Sequence, residues 1–347
     1  MKARFFLLVG YILGTGQLAF AQDQIESNAV TFEELYDEPY LVNKLFIGFQ
    51  PFYGELFATN VNAGFGAEAS YYLKDKVDFK AHFRKTYSSS FYDFSRDLAR
   101  RNSNVDNKPE IFNYYEFGAT YHFKDFESPS KTKMVLYKSG YKGNSWASRV
   151  PLQTVVPCKL RKIYGGRLGG IIWNSTTDIS RALEKQGLTN VDLVSNEGAG
   201  GLPLTYLDPV TAKTRDVKVF SNVYSTGLYV GGSITWIRNI AVSFDKYEEA
   251  LDDGIMTLFF DILYSPGLKV DDILYNNSIY STDALKKSPV GFRLGIDGKF
   301  NRQLSWAYGG EVGYRPSIKG QGVYAMFKIC FPIFGTNLDN KVESFGK

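Results

Sequence analysis

The chain has 347 residues, 44% hydrophobic, 22% charged and 16% aromatic, with a mean hydropathy of -0.21. That average excludes a bundle of membrane-spanning helices, and beyond the N-terminus no apolar run is long enough to cross a bilayer as one. Lys2 and Arg4 lie in a stretch read below as removed, so the 40 basic residues fall to 38 against 36 acidic, and a chain so nearly neutral makes no general electrostatic case for nucleic acid.

Residues 1–21 read as a secretory signal peptide. Lys2 and Arg4 form its positive end, Phe5 to Leu13 its apolar stretch, and Ala19-Phe20-Ala21 a small-residue cleavage site. Residues 22–43 are an acidic lead carrying Asp23, Glu26, Glu33, Glu34, Asp37 and Glu38, with one helical turn expected near Phe32 to Tyr36. Residues 44–334 are expected to form one β domain, with a long insertion at 174–217 and a tail at 335–347.

Within that domain Leu45 to Ala58 is the first strand candidate, interrupted by Pro51 and Gly54. Ala63 to Leu73 and Val77 to Arg84 then alternate as a hairpin. Ala63, Phe65, Ala67, Ala69, Tyr71 and Leu73 share one face, and Phe79, Ala81 and Phe83 continue it on the return strand. Glu68, Asp78, Lys80, His82 and Arg84 lie on the other face. Successive strand residues point to opposite sides, so each strand has one apolar and one charged wall. Strands of roughly 10 residues cross a bilayer at a tilt.

A three-residue turn pairs Leu73 with Val77 and sets His82 opposite Glu68 and Lys80 opposite Ser70. Pairing Tyr87 with Asn113 across the next, longer loop would set Arg84 against Glu116 and Asp78 against His122. A slip by two residues there keeps the parity.

Ser88 to Phe112 reads as a polar loop. Alternation resumes at Tyr115 to Phe123, and Ser128-Pro129-Ser130 reads as a turn into a weaker strand near Lys133 to Ser139. Thr154 to Trp173 has strand composition broken by Pro157 and by the glycine pairs flanking Arg167, which read as sites of bending or close packing. Lys159, Arg161, Lys162 and Arg167 form a basic group that would contact lipid phosphates or an anionic solute near one rim, or line a solvated turn. In the insertion, Asp178 is expected to cap a helix running through Gln186, with Ile179, Ala182 and Leu183 on one side and Gly187 ending it. Strand patterns follow at Leu228 to Trp236, Ile240 to Phe244, Met256 to Tyr264, Phe292 to Ile296, Trp306 to Tyr314 and Val323 to Ile333. The count is about 12 strands. Cys158 and Cys330 read as isolated wall cysteines.

Signal peptide, aromatic alternating strands, long polar loops and a phenylalanine-rich last strand resemble those of bacterial outer-membrane β-barrel proteins, in the style of Bacteroidota. The resemblance implies an all-β, antiparallel transmembrane barrel in the outer membrane of a Gram-negative cell, with both ends periplasmic. It implies as partners outer-membrane lipid, the insertion machinery during biogenesis, and an envelope protein complex. It matches no catalytic, cofactor or metal motif. The tail after Phe331 and Phe334 departs from barrels that end on an aromatic, which makes the insertion signal internal.

The candidate lumen-lining residues are Glu68, Lys80, His82, Arg84, Glu116, His122, Arg293, Asp297, Glu311, Arg315 and Lys328. They serve either a charged permeation path or simple mutual neutralisation of a polar interior. Tyr71, Tyr87, Tyr121, Tyr264 and Tyr314 read as an interfacial aromatic belt.

The favoured function is a non-enzymatic, porin-like passive channel or an envelope or secretion-associated component. One alternative is a lipid-modifying enzyme using His82 or His122, with Ser70 and Glu68 nearby. Another is an exported soluble sandwich or lipocalin-like binder, which would instead pack Phe65, Phe79, Phe117 and Phe292 into one core.

Overall fold

Ten strands close into one antiparallel barrel in the computed structural model, which describes residues 31–335 apart from 74–75, 89–91, 137–151, 199, 209, 211, 246, 248 and 302–305. The signal peptide, the first part of the lead and the tail expected from the sequence lie outside the described residues. The barrel strands are β1 (Leu45–Phe57), β2 (Val61–Leu73), β3 (Val77–Thr86), β4 (Asn113–Leu136), β5 (Leu152–Asp178), β6 (Phe220–Ile237), β7 (Gly254–Val270), β8 (Val290–Phe300), β9 (Ala307–Tyr314) and β10 (Val323–Gly335). Each pairs with its neighbours in sequence, and β10 pairs with β1 to close the ring. β1 starts and β10 finishes at one end, here the terminal end; the long connections gather at the opposite, loop end.

Two-residue alternation decides which side chains enter the ring. Phe79, Phe117, Leu168 and Phe292 point outward and are 46%, 61%, 62% and 50% exposed, whereas Arg84, Glu116 and Arg293 point inward and are at most 3% exposed. The phenylalanines do not form a shared core, which removes the sandwich arrangement. The first hairpin has the expected register, with Leu73 on Val77, Glu68 on His82 and Ser70 on Lys80. Between β3 and β4 the register is slipped by two: Lys85 meets Asn113 and His82 meets Glu116. The parity survives, as a two-residue slip requires.

The barrel has ten strands rather than about 12, for two reasons. Ser128-Pro129-Ser130 does not turn; it lies inside β4, which runs unbroken to Leu136. β3 stops pairing with β4 at Tyr121, so Pro129 lies on a free edge where its missing N–H costs no ladder bond. Ile240–Phe244 is likewise no barrel strand, but joins Phe32–Asp37 and Ala250–Asp252 in a small sheet. Phe32–Asp37 is thus a strand and not the expected helical turn. β4 and β5 run on beyond the end of β3 as a ribbon, residues 124–136 against 152–164, roughly 40 Å long at strand rise, with 161–164 still paired to β6. The small sheet packs on this ribbon through Met134, Val156, Cys158, Ile240, Val242 and Phe244. Both cysteines are buried thiols without a disulfide.

Each mouth is stopped by the chain itself. At the terminal end Val42 packs with Phe46, Tyr72, Ile163, Ile237 and Ile255. Asn239 donates to the carbonyls of Glu38 (2.8 Å) and Leu41 (3.2 Å), and Asn301 donates to Leu41 O at 2.7 Å, so the segment before β1 is laced across the opening.

At the loop end the 87–112 connection is not featureless: it contains helix α1 (Phe94–Asn102), whose N-cap Asp93 accepts from Arg96 N at 3.3 Å and Phe112 N at 2.8 Å. The expected helix in the insertion is present as α2 (Ile179–Gln186), with Asp178 accepting from Arg181 N at 3.0 Å and Gly187 left-handed at φ 71°. The insertion begins later than the sequence implied, because β5 runs to Asp178. Ile179, Ala182 and Leu183 of α2 are buried with Leu193, Leu202, Val219, Ile273 and Ile318, contributed by the insertion and the neighbouring connections. Burial of one apolar stripe against these loops holds so short a helix in place, since its intrinsic propensity would not.

Gly165 and Gly169 beside Arg167, and Gly118 on the neighbouring strand, serve close packing. A Cβ at Gly118 would lie 1.8 Å from the Tyr229 hydroxyl and one at Gly169 2.5 Å from its ring, whereas one at Gly166 meets nothing within 4 Å. Gly118→Ala is therefore expected to lower stability by about 1–3 kcal/mol, and Gly166→Ala to leave it within about 0.5 kcal/mol, read from urea midpoints of the protein refolded in micelles.

Candidate functional site: the barrel interior

The inward positions of seven strands assemble one charge lattice. Arg293 of β8 is its hub: its Nη2 and Nη1 donate to the Glu116 carboxylate at 2.6 and 2.9 Å, and its Nε donates to Asp261 at 2.8 Å. Arg167 of β5 grips the same Asp261 through Nε at 2.9 Å and Nη2 at 3.2 Å. Toward the loop end Arg84 of β3 donates to Glu311 at 3.2 Å, and Arg315, just past β9, donates to both oxygens of Glu55 at 3.0 and 2.9 Å.

Four guanidinium groups thus meet four carboxylates. Aromatic groups fill the gaps. Tyr114 OH donates to Glu116 at 2.7 Å and Tyr324 OH to Glu311 at 3.2 Å. The Arg84 and Arg315 guanidinium carbons lie 4.2 Å from the ring centres of Tyr114 and Tyr324, a contact that favours the cation further when desolvated.

Nearer the terminal end lies a lysine layer. Lys328 donates to Glu68 at 2.7 Å and lies 3.1 Å from Asp297, Gln50 donates to Glu68 at 2.8 Å, and Lys299 donates to Ser70 at 2.7 Å. Around these residues is a cavity of about 40 Å³, lined in part by Lys80, His82 and Lys328, with room for on the order of one to three waters.

Arg84, Glu116, Arg293, Glu311, Arg315 and Lys328 are buried, Glu68, Lys80, His82 and Asp297 line the small cavity, and the pairings differ from the expected ones. Arg84 meets Glu311 and not Glu116, which belongs to Arg293. His122 does reach Asp78, at 2.8 Å, diagonally across the slipped register. His82 Nδ1 is 3.6 Å from Glu68, and the Ser70 hydroxyl is held by Lys299. Among the described residues no hydrogen bond joins Ser70 to His82, and no group of three or more His, Cys, Asp or Glu side chains could hold a metal ion.

Glu55, Arg167 and Asp261 are lattice members beyond the eleven candidates, although alternation sets Asp261 opposite the apolar face of its strand. A bulge between Gln50 and Tyr53 flips the parity of β1, which hid Glu55. In the sequence Arg167 stands with Lys159, Arg161 and Lys162 as a basic group near one rim. The structure separates them: Arg167 is in the lattice, Arg161 is buried against Asp125 at 2.6 Å, and Lys162 points outward opposite Trp236.

No family model matches the chain, and no curated protein does. Among solved structures the chain is similar to a TodX deltaS2S3 mutant monoaromatic hydrocarbon channel, at 10% identity over 83% of this chain and 88% of that one, with a TM-score of 0.17. A likeness at that score carries no argument.

Removing one member of so dense a lattice strands its partners. Arg293→Met leaves Glu116 without its bidentate cation and is expected to cost about 3–5 kcal/mol. Adding Glu116→Gln is expected to restore part of that loss, as coupled neighbours do; denaturant titration of both variants measures it.

Proposed function

We propose that the chain is an outer-membrane β-barrel with its terminal end in the periplasm, closed to diffusion, and that it serves as a non-enzymatic component of the cell envelope or of a secretion assembly. The membrane reading is carried by the outward wall. Leu228, Val230, Phe260, Ile262, Phe292 and Phe327 are each 48% to 60% exposed, a continuous apolar surface far beyond what monomers keep in water. A closed ring is also the one β architecture that leaves no unpaired edge in lipid. The described segments of no helix are long and apolar enough to cross a membrane, so strands would do the crossing. Tyr71, Tyr87, Tyr121 and Tyr264, all more than 40% exposed, fit an aromatic belt.

The interior favours the accessory role over a passive channel. A permeation path needs an opening and mobile or one-signed lining charge. Here both mouths carry apolar stoppers, and the lattice between them is paired charge for charge. The surfaces left for work are the periplasmic ribbon and the folded cap at the loop end.

Three measurements test this. The purified protein is expected to migrate heat-modifiably on gels and to insert in planar bilayers without steady conductance; stepwise conductance of the wild type would overturn the closed reading. Phe117→Arg, at mid-wall, is expected to lower stability in lipid by about 2–4 kcal/mol, and a neutral effect would remove the bilayer from that face.

A further inference from the structure

The outer wall is not uniformly convex. On its face over β5, β6 and β7, Gly166 stands directly opposite Gly232, and Phe260 stands on the far side of Gly232. Without side chains at the two adjoining positions the wall steps inward. The result is an apolar groove of about 410 Å³, bounded by Phe123, Tyr164, Ile234, Leu258, Phe260 and Leu294. That volume lies within the range of small-molecule sites.

The groove has a polar end. Four residues toward the terminal end along β5, roughly 14 Å at strand rise, Lys162 faces outward between Phe126 and Trp236. Beside it the Lys124 ammonium lies 4.9 Å from the Phe126 ring centre and 5.9 Å from that of Tyr164, one wall of the groove. Among the described residues neither lysine has a carboxylate within ion-pairing distance. Arg161, the next basic residue along β5, is by contrast turned inward onto Asp125. Two uncompensated ammonium groups on a lipid-facing wall are costly unless they sit at headgroup level, where phosphate supplies the missing charge.

An apolar slot with two cations just beyond one end, one of them over aromatic rings, has the outline of one kind of molecule. We propose that this groove binds the acyl chain of an anionic phospholipid, with its phosphate-bearing head group between Lys124 and Lys162. The site deepens the membrane reading above and rests on it. With the terminal end periplasmic, these lysines lie at the inner leaflet, where the head groups are phospholipid.

The test uses the full mature chain in detergent, titrated with phosphatidylglycerol or with phosphatidylethanolamine of identical chains, and counts retained lipid by native mass spectrometry. The wild type is expected to retain phosphatidylglycerol in preference, by on the order of fivefold, the worth of one basic residue at an anionic surface. Lys124→Gln with Lys162→Gln is expected to abolish the preference. Gly232→Leu fills the groove, since a Cβ there meets only Gly165 O at 3.7 Å, and is expected to lower retention of both lipids while heat-modifiable migration persists. Equal retention of the two lipids by the wild type overturns the site, as does an undiminished preference in the double lysine variant. A protein dimer in place of the lipid adduct assigns the groove to a second copy and overturns it too. Partitioning of the wild type into the aqueous phase of a detergent separation would instead overturn the membrane reading beneath it.

Discussion

The interior of this barrel is governed by charge neutrality in a confined, water-poor space. A ring of ten strands with its apolar side chains outside has to enclose its ionisable ones, and an unpaired buried charge costs several kcal/mol. Arg84, Arg167, Arg293 and Arg315 against Glu55, Glu116, Asp261 and Glu311 satisfy that demand with bidentate or shared contacts. Guanidinium suits the task better than ammonium because its planar fork can hold two carboxylates at once, as Arg293 does with Glu116 and Asp261. The lattice joins β1, β3, β4, β5, β7, β8 and β9 across the ring, so it braces the barrel from within in addition to the backbone ladder.

The rest of the architecture protects that lattice from water. The aromatic layer of Phe57, Tyr114, Trp173 and Tyr324 separates it from the loop-end cap. Val42 and the ring of apolar residues around it close the terminal end. The inward glycines at 118 and 169 admit the Tyr229 ring beside the arginines, and Arg293 lies 4.5 Å from that ring's centre. Low dielectric then strengthens the ion pairs, and the same low dielectric makes any vacancy among them expensive. A rigid interior of this kind shifts functional interest to the outside: the ribbon below the barrel, the cap above it, and the grooved wall between.

The side to which each strand residue points is written in the chain. Period-two alternation sorted Phe79, Phe117 and Phe292 outward and Glu68, Arg84, Glu116 and Arg293 inward, because a strand leaves its side chains no other choice. Short-range signals were equally legible: the three-residue turn that pairs Leu73 with Val77, and the Asp178 and Gly187 caps of α2. Tertiary structure decided whatever depends on the neighbouring strand. Pro129 reads as a turn until β3 stops pairing and leaves it on an edge. Arg167 reads as a rim cation until Asp261 of a strand far along the chain meets it. Glu55 is masked by a bulge, and Arg84 could not be matched to Glu311 while the register after the long loop was open to a two-residue slip. Parity is local and survives such a slip, but partner choice is a property of the closed ring, so alternation alone does not specify it.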